Sequence, residues 1–416
     1  MTNKRPLFLL FTANAISGLA QGMSMLAIPW YFARNLQSGL FNMAYGVITL
    51  IVLVFGLYAG TLVDRFSRKR NFLITSLVCG FIIFIISLTG YFNNQLPDLL
   101  IISVFGITLL NYNIHYPTLY AFAHEISEPQ QYQKVNSWIE IVGQSTSILS
   151  GAFAALLIEG VDASKGKIAG FEVHIPFNIP RWEVWEIFML DAITYFIAAL
   201  LIVGIKYKPV KELTTELGSV FNRVKSGFIY LNQHRVLLIF GLFSYSVFAT
   251  VIVTIHALLP IYVDQHLEEG GSVFAAADLV YAIGALGAGV FVGKVFKKSN
   301  PETSIIVLSL LATLIFMWMF FAKSVFVLYL FCILLGFCNA GVRVLRLTYF
   351  FEYIPNEIMG RVNSIFNMAN VFTRSVFIFL FSIPFFTFGH QIIWAFFLMS
   401  IFLGISSWVL IANKKQ

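Results

Sequence analysis

Apolar residues in this chain come in long unbroken runs, unlike the alternation of a half-buried strand or the single apolar stripe of a soluble helix. Twelve runs stand out: 7–33, 41–63, 72–92, 98–122, 133–158, 186–205, 236–260, 273–294, 303–321, 325–350, 361–386 and 389–411. Each approaches or exceeds the roughly 20 residues that carry an α-helix across a bilayer. Inside hydrocarbon only helices or closed barrels satisfy their own backbone polar groups, so the pattern predicts an all-α membrane protein of twelve transmembrane helices. Most connections are short. Two are longer: 159–185, containing "EGVDASKGKIAGFEVHIPFNIPRW", and 206–235, containing "KYKPVKELTTELGSVFNRVKSGFIYLNQHR". The second is charged and amphipathic, which predicts a segment lying on the membrane surface.

Composition agrees with the pattern. Of 416 residues 58% are hydrophobic and 11% charged, against about 25% charged in soluble domains, and mean hydropathy is +0.82. The net charge of +7 comes from bases clustered beside the apolar runs. Such clustering orients a membrane protein, so no nucleic-acid partner is expected. Even-numbered connections and both ends carry Lys4, Arg5, Arg65, Arg68, Lys69, Arg70, Lys134, six bases within 206–235, Lys294, Lys297, Lys298, Arg361, Lys414 and Lys415. Odd-numbered connections carry Arg34, Lys165, Lys167, Arg181 and Lys323. Both termini are therefore expected on the cytoplasmic side of the inner membrane. The first run is too long for a signal h-region and lacks a small-residue cleavage site, so no cleaved signal is expected. Cys79, Cys332 and Cys338 all fall inside apolar runs. They read as small buried hydrophobes, with no disulfide framework and no metal spacing.

The two halves repeat. Residues 120–137, "YAFAHEISEPQQYQKVNS", align with 347–364, "LTYFFEYIPNEIMGRVNS", placing Glu125 on Glu352 and Asn136 on Asn363. Residues 289–300 echo 56–67, with Lys297 where Asp64 stands. Two six-helix halves in one orientation form a transporter architecture. This organisation predicts a six-helix bundle over 1–205, a cytoplasmic linker over 206–235 and a second bundle over 236–416.

Between the second and third runs the chain reads Gly60-Thr61-Leu62-Val63-Asp64-Arg65-Phe66-Ser67-Arg68-Lys69-Arg70. This resembles the loop signature of the major facilitator superfamily, at the position where that family carries it. The helix number, central linker and repeat extend the resemblance over essentially the whole chain. Within the family the chain resembles the macrolide-efflux-type and lysophospholipid-transporter-type branch through His115-Tyr116-Pro117, Asn136, Glu140 and "LDAITYFIAALLI" at 190–202. The resemblance implies that Asp64 reaches the start of the eleventh helix, here "NEIMGRVNS", which includes Arg361. A carboxylate is favoured beside free amides at a helix N-terminus. Gly56 and Gly60 permit close helix approach. Arg65, Arg68, Lys69 and Arg70 hold the loop in the cytoplasm and suit pairing with acids such as Glu125. Together these residues are expected to act as a conformational latch on the inner face; the plainer reading is a topology signal.

Ionisable groups at membrane depth are functional candidates. Arg374 is the deepest, and is expected to line a central cavity with an acid or an anionic solute as partner. The repeat sets neutral Ser147 against it. His115 and Glu140 lie at similar depth in adjacent antiparallel runs, either as a proton-carrying pair or as a static brace. Asp191, Asp278 and His256 lie toward the outer ends of their runs, where Asp191 and Asp278 read as caps or interface residues. Arg343 and Arg346 are expected to snorkel to the inner face. Gln21, Asn111 and Asn113 are candidate hydrogen-bonders to a solute. Two departures weaken a drug/proton antiporter of the usual kind. Thr108 stands where such antiporters often carry an arginine, and "VGQSTSILSGAF" in the fifth run lacks their Gly-Pro signature.

The expected function is secondary transport of a small hydrophobic or amphipathic solute by alternating access. Export with proton coupling is favoured, the protein acting as a monomer without cofactor or metal. Flipping of a lysophospholipid-like substrate, or solute uptake, is the rival within transport. A membrane enzyme and a substrate-free sensor are the rivals outside it. No G-x-x-x-x-G-K-[ST] run supports a nucleotide-driven pump.

Overall fold

Helices follow the apolar runs because each backbone N–H and C=O inside a bilayer must find its partner within the segment. A computed structural model describes residues 4–160, 167–168, 171–172, 178–206, 220–297 and 299–414. The helices are α1 (Lys4–Arg34), α2 (Ser38–Arg65), α3 (Arg68–Asn93), α4 (Asp98–Glu125), α5 (Tyr132–Leu157), α6 (Val184–Val203), α7 (Val220–Gln233), α8 (Arg235–Ser244), α9 (Ser246–Val253) and α10 (Leu259–Ile261). They continue with α11 (Gly271–Val295), α12 (Pro301–Phe321), α13 (Val325–Tyr353), α14 (Asn356–Leu380), α15 (Pro384–Thr387) and α16 (Ile393–Lys414). Among the described residues, eleven helical stretches are long and apolar enough to cross a membrane. The twelfth expected span is α14, a continuous helix of 25 residues. Its apolar run is interrupted by Asn363, Asn367, Asn370 and Arg374.

The seventh span departs from a plain helix. It runs from Arg235 to His266, past the expected end at 260, and is broken in three places. The helix steps at Tyr245, between α8 and α9. Two π-helical turns, Thr254–Leu258 and Tyr262–His266, flank α10. Pro260 supplies a reason, since it has no N–H and its ring crowds the carbonyl four residues back, which a widened turn relieves. Within the 159–185 connection, strands β1 (Lys167–Ile168) and β2 (Phe171–Glu172) pair antiparallel.

The chain packs as two units. The first comprises Met1–Tyr31 and Ile51–Glu216, the second Phe32–Leu50 and Leu217–Gln416. The segment Phe32–Leu50 therefore groups with the second unit. A Cβ on Gly46 would stand 2.7 Å from the Phe379 ring, and Asn42 Nδ2 donates to the Phe381 carbonyl at 3.2 Å. In the first unit α3 packs along α6 and against α4; in the second α11 packs on α13, and α12 on α13 and α16. The α11–α13 contact is backbone on backbone. A Cβ on Gly284 would lie 2.0 Å from the Ile333 carbonyl oxygen, and one on Gly336 2.1 Å from that of Tyr281. Small residues permit this approach where lipid supplies no hydrophobic drive between helices.

Candidate functional site

Two helices of the first unit carry matched polar stripes. On α1, Asn14, Ser17, Gln21 and Ser24 are all buried; on α4, so are Thr108, Asn111, His115 and Thr118. Both sets follow the spacing i, i+3, i+7, i+10, which places four side chains on one helix face. The stripes are joined by side-chain bonds. His115 Nε2 lies 2.8 Å from Asn14 Oδ1. Gln21 Nε2 donates to the Tyr195 hydroxyl from α1. Asn111 Nδ2 donates to the same oxygen from α4 at 3.1 Å. Ser24 Oγ donates to Asp191 Oδ2 at 2.9 Å. The result is a polar seam inside the first unit, shared by α1, α4 and α6.

The seam revises several expectations. His115 bonds Asn14, not Glu140. Glu140 is exposed and accepts a hydrogen bond from Tyr120 at 2.8 Å. The reason is helix rotation: equal depth does not make two residues share a face. Gln21 and Asn111 each direct an amide N–H at the Tyr195 hydroxyl, and the Asn111 Oδ1 has no partner among the described residues. Asn113 donates to the Leu109 carbonyl of its own helix at 3.0 Å. Of the two roles expected for Asp191, cap or interface residue, it takes the second, meeting Ser24 of α1. The N-cap of α6 is Glu183, in a capping box with Glu186, and Asp191 lies two turns further in, fully buried. Its Oδ1 has no hydrogen-bond partner. Asp278 likewise lies two turns inside α11, whose N-cap is Gly270. The signal for the seam, polar residues repeating at one helix face, is present in the sequence; which face would meet which is not.

The second unit holds Arg374. Its guanidinium carbon lies 5.8 Å from the Phe248 ring centre, with Tyr45 and His256 as electrostatic neighbours. Tyr45 meets His256 edge-on at 6.1 Å. His256 sits on the first π-turn, and Asn42 reaches that turn through the Ala257 carbonyl at 3.4 Å. Among the described residues Arg374 forms no ion pair and no hydrogen bond, and its buried Nε is unsatisfied. A guanidinium stays charged at any working pH, and burying it in a membrane helix costs at least ~2.5 kcal/mol. An anion beside it would offset that cost. Arg346, expected to snorkel, is buried instead. It stacks 3.5 Å over Tyr245 and donates to the Ser244 carbonyl at 3.0 Å, because the step between α8 and α9 frees that carbonyl.

Around the charged loop, α2 continues as helix to Arg65, while the side chains of Asp64 and Arg65, and the surroundings of Gly60, lie outside the described residues. A Cβ on Gly56 would stand 3.2 Å from Asn113 Oδ1, so glycine there does permit close approach by α4. Arg68 Nε lies 3.5 Å from Glu125 Oε1. Lys69 Nζ donates to the carbonyls of Val203 and Ile205 at 2.9 and 2.8 Å, closing the end of α6. Arg70 lies over the Phe66 ring at 5.2 Å. Arg361, in the second unit, donates to Ser226 Oγ on α7 at 3.3 Å.

Membrane-crossing helices grouped in two units, with buried polar groups at membrane depth, define an integral membrane protein of the transporter class. The chain belongs to the Major Facilitator Superfamily, whose profile matches residues 10–378. It is therefore read as a transporter and not an enzyme. No curated protein sequence matches it. Solved structures share the fold at low identity. A mutant form of the nucleoside transporter NupG superposes with a TM-score of 0.71 at 11% identity, over 98% of this chain and 99% of that one. A bacterial homolog of the human lysosomal transporter Spinster, inward-facing and unoccupied, gives 0.72 at 10%, over 100% and 97%. A D-xylose-proton symporter gives 0.71 at 14%, over 96% and 97%.

Proposed function

We propose that the protein exports a small amphipathic solute bearing an anionic group, by alternating access and coupled to protons, from a cell whose cytoplasm faces both termini. The observation that carries this reading is Arg374, a charged group in a membrane helix with no carboxylate partner among the described residues. Phe248 and Tyr45 beside it suit the apolar part of such a solute. The resemblance to macrolide-efflux-type and lysophospholipid-transporter-type carriers supports an amphipathic cargo. The division at 206–235 supplies the linker between rocking halves, and the loop from Gly56 to Arg70, with Glu125 and Arg361, acts as the inner-face latch. Flipping of a lysophospholipid is the second reading, favoured by the same guanidinium, which would take the phosphate.

The test uses the purified full chain in detergent, with a lysophospholipid, a long-chain alkyl carboxylate and the matching uncharged alcohol as probes. Thermal stabilisation by the anionic probes and not by the alcohol, lost in Arg374→Ala and partly kept in Arg374→Lys, is expected. Lys keeps the charge without the planar fork. Equal stabilisation by all three probes, unaltered in Arg374→Ala, would remove Arg374 from the site. Flux in reconstituted vesicles then separates export from flipping.

A further inference from the structure

The first unit contains a carboxylate that the latch and the Arg374 site leave unused. Asp191 is fully buried on α6, between residues of α1 and α3. One oxygen, Oδ2, accepts the Ser24 hydroxyl at 2.9 Å. The other, Oδ1, is buried with no partner. The groups that face it are Ser24 from α1, Cys79 from α3 and Tyr195 one turn along α6, with Tyr112 of α4 beyond Tyr195. None of these is cationic. Among the described residues no base bonds Asp191 and no group of three His, Cys, Asp or Glu is arranged to hold a metal ion.

We propose that Asp191 is a proton-binding site of this transporter, with the proton on Oδ1. Resting on the proton-coupled reading above, this assigns the coupling residue to α6, in place of Glu140. An ionised Asp191 would carry a buried charge with one hydroxyl donor and no counter-ion, the arrangement that membrane interiors tolerate least. A metal cation requires many more oxygen ligands, about six to eight for calcium, whereas among the described residues only the Ser24 hydroxyl bonds Asp191. A proton from water fits the vacancy: Oδ1 becomes a hydroxyl, the group turns neutral, and Oδ2 keeps the Ser24 bond as a carbonyl. Loss of that proton leaves the charge to be solvated, which requires α1 or α6 to shift and admit water. Glu140, exposed and bonded to a tyrosine hydroxyl, has no comparable demand. The Ser24–Asp191 bond thus joins proton occupancy to the relative position of α1 and α6, next to the Gln21–Tyr195–Asn111 junction of the seam.

The experiment is infrared difference spectroscopy on the purified full chain in detergent, titrated from acidic to alkaline buffer without solute. It reads the carbonyl stretch of a protonated carboxylic acid. Wild type is expected to show such a band, which disappears as the buffer turns alkaline. Asp191→Asn should remove one component of the band, and that component should be retained in Glu140→Gln and Asp278→Asn. Ser24→Ala should keep the band but move it to higher frequency, because the carbonyl loses its donor; this readout stands even if Asp191→Asn fails to fold. A band unaltered in Asp191→Asn, one that never titrates in wild type, or one that Ser24→Ala leaves in place would each overturn the proposal. Vesicles lacking flux would sink the transport reading while leaving this titration intact, so the two failures are distinguishable.

Discussion

Arg68, the first residue of α3, lies 3.5 Å from Glu125, the last residue of α4, and each side chain is 18% exposed. The pair closes the end of one helix against the start of another within the first unit. It also gives the charged loop a structural task separate from any latch. Exposed pairs contribute about 0–1 kcal/mol, and this one is half-buried. A double-mutant cycle of Arg68→Ala and Glu125→Gln, read by unfolding in detergent, should give a coupling near 1 kcal/mol that shrinks with salt. Strictly additive single effects would show that the pair is geometric only.

Lys69 satisfies carbonyls at the end of α6 that no later turn can reach. Lys69→Met should fray that end at a cost of up to about 1 kcal/mol. Hydrogen exchange should rise at the amides of Gly204 and Ile205 while the centre of α6 stays protected. Unchanged protection there would mean that water serves those carbonyls equally well.

At the α11–α13 crossing a side chain at Gly284 has nowhere to go, since its Cβ would sit 2.0 Å from backbone. Gly284→Val should destabilise the protein by about 1–3 kcal/mol or more, the cost of overpacking a close contact. Gly143, with nothing within 4 Å of its added Cβ, serves as control, and Gly143→Ala should leave the melting temperature within error or raise it slightly. Similar losses in both variants would contradict the close crossing.

The latch reading rests on the acid and glycines in a loop whose topology needs only bases. Asp64→Asn should leave folding and insertion intact but loosen the inner face. Spin labels at the C-terminal end of α2 and the N-terminal end of α14 should report a broader, longer distance distribution than in wild type. If that distribution and transport are both unaltered, the loop serves orientation alone.

Hydropathy is a local property, so the membrane-crossing helices, their order and the charged loop were legible in the sequence. Insertion into lipid depends on the composition of each run, whatever its neighbours. The Arg68–Glu125 contact was legible for a related reason: chain connectivity sets the ends of successive helices side by side. Rotation and breakage of helices belong to tertiary structure. His115 could have met Glu140 by depth, yet it faces Asn14, because the stripes on α1 and α4 turn toward each other. Asp191 lies in an apolar run as a cap would, and only the packing of α1 and α3 against α6 reveals a sealed carboxylate. Arg346 sits near the end of its apolar run, where an arginine could snorkel, but the step at Tyr245 gives it an aromatic ring and a free carbonyl instead. In each case the sequence determined that a polar group would enter the membrane. Packing decided its partner, because only the neighbouring helices set which donors and acceptors lie within reach.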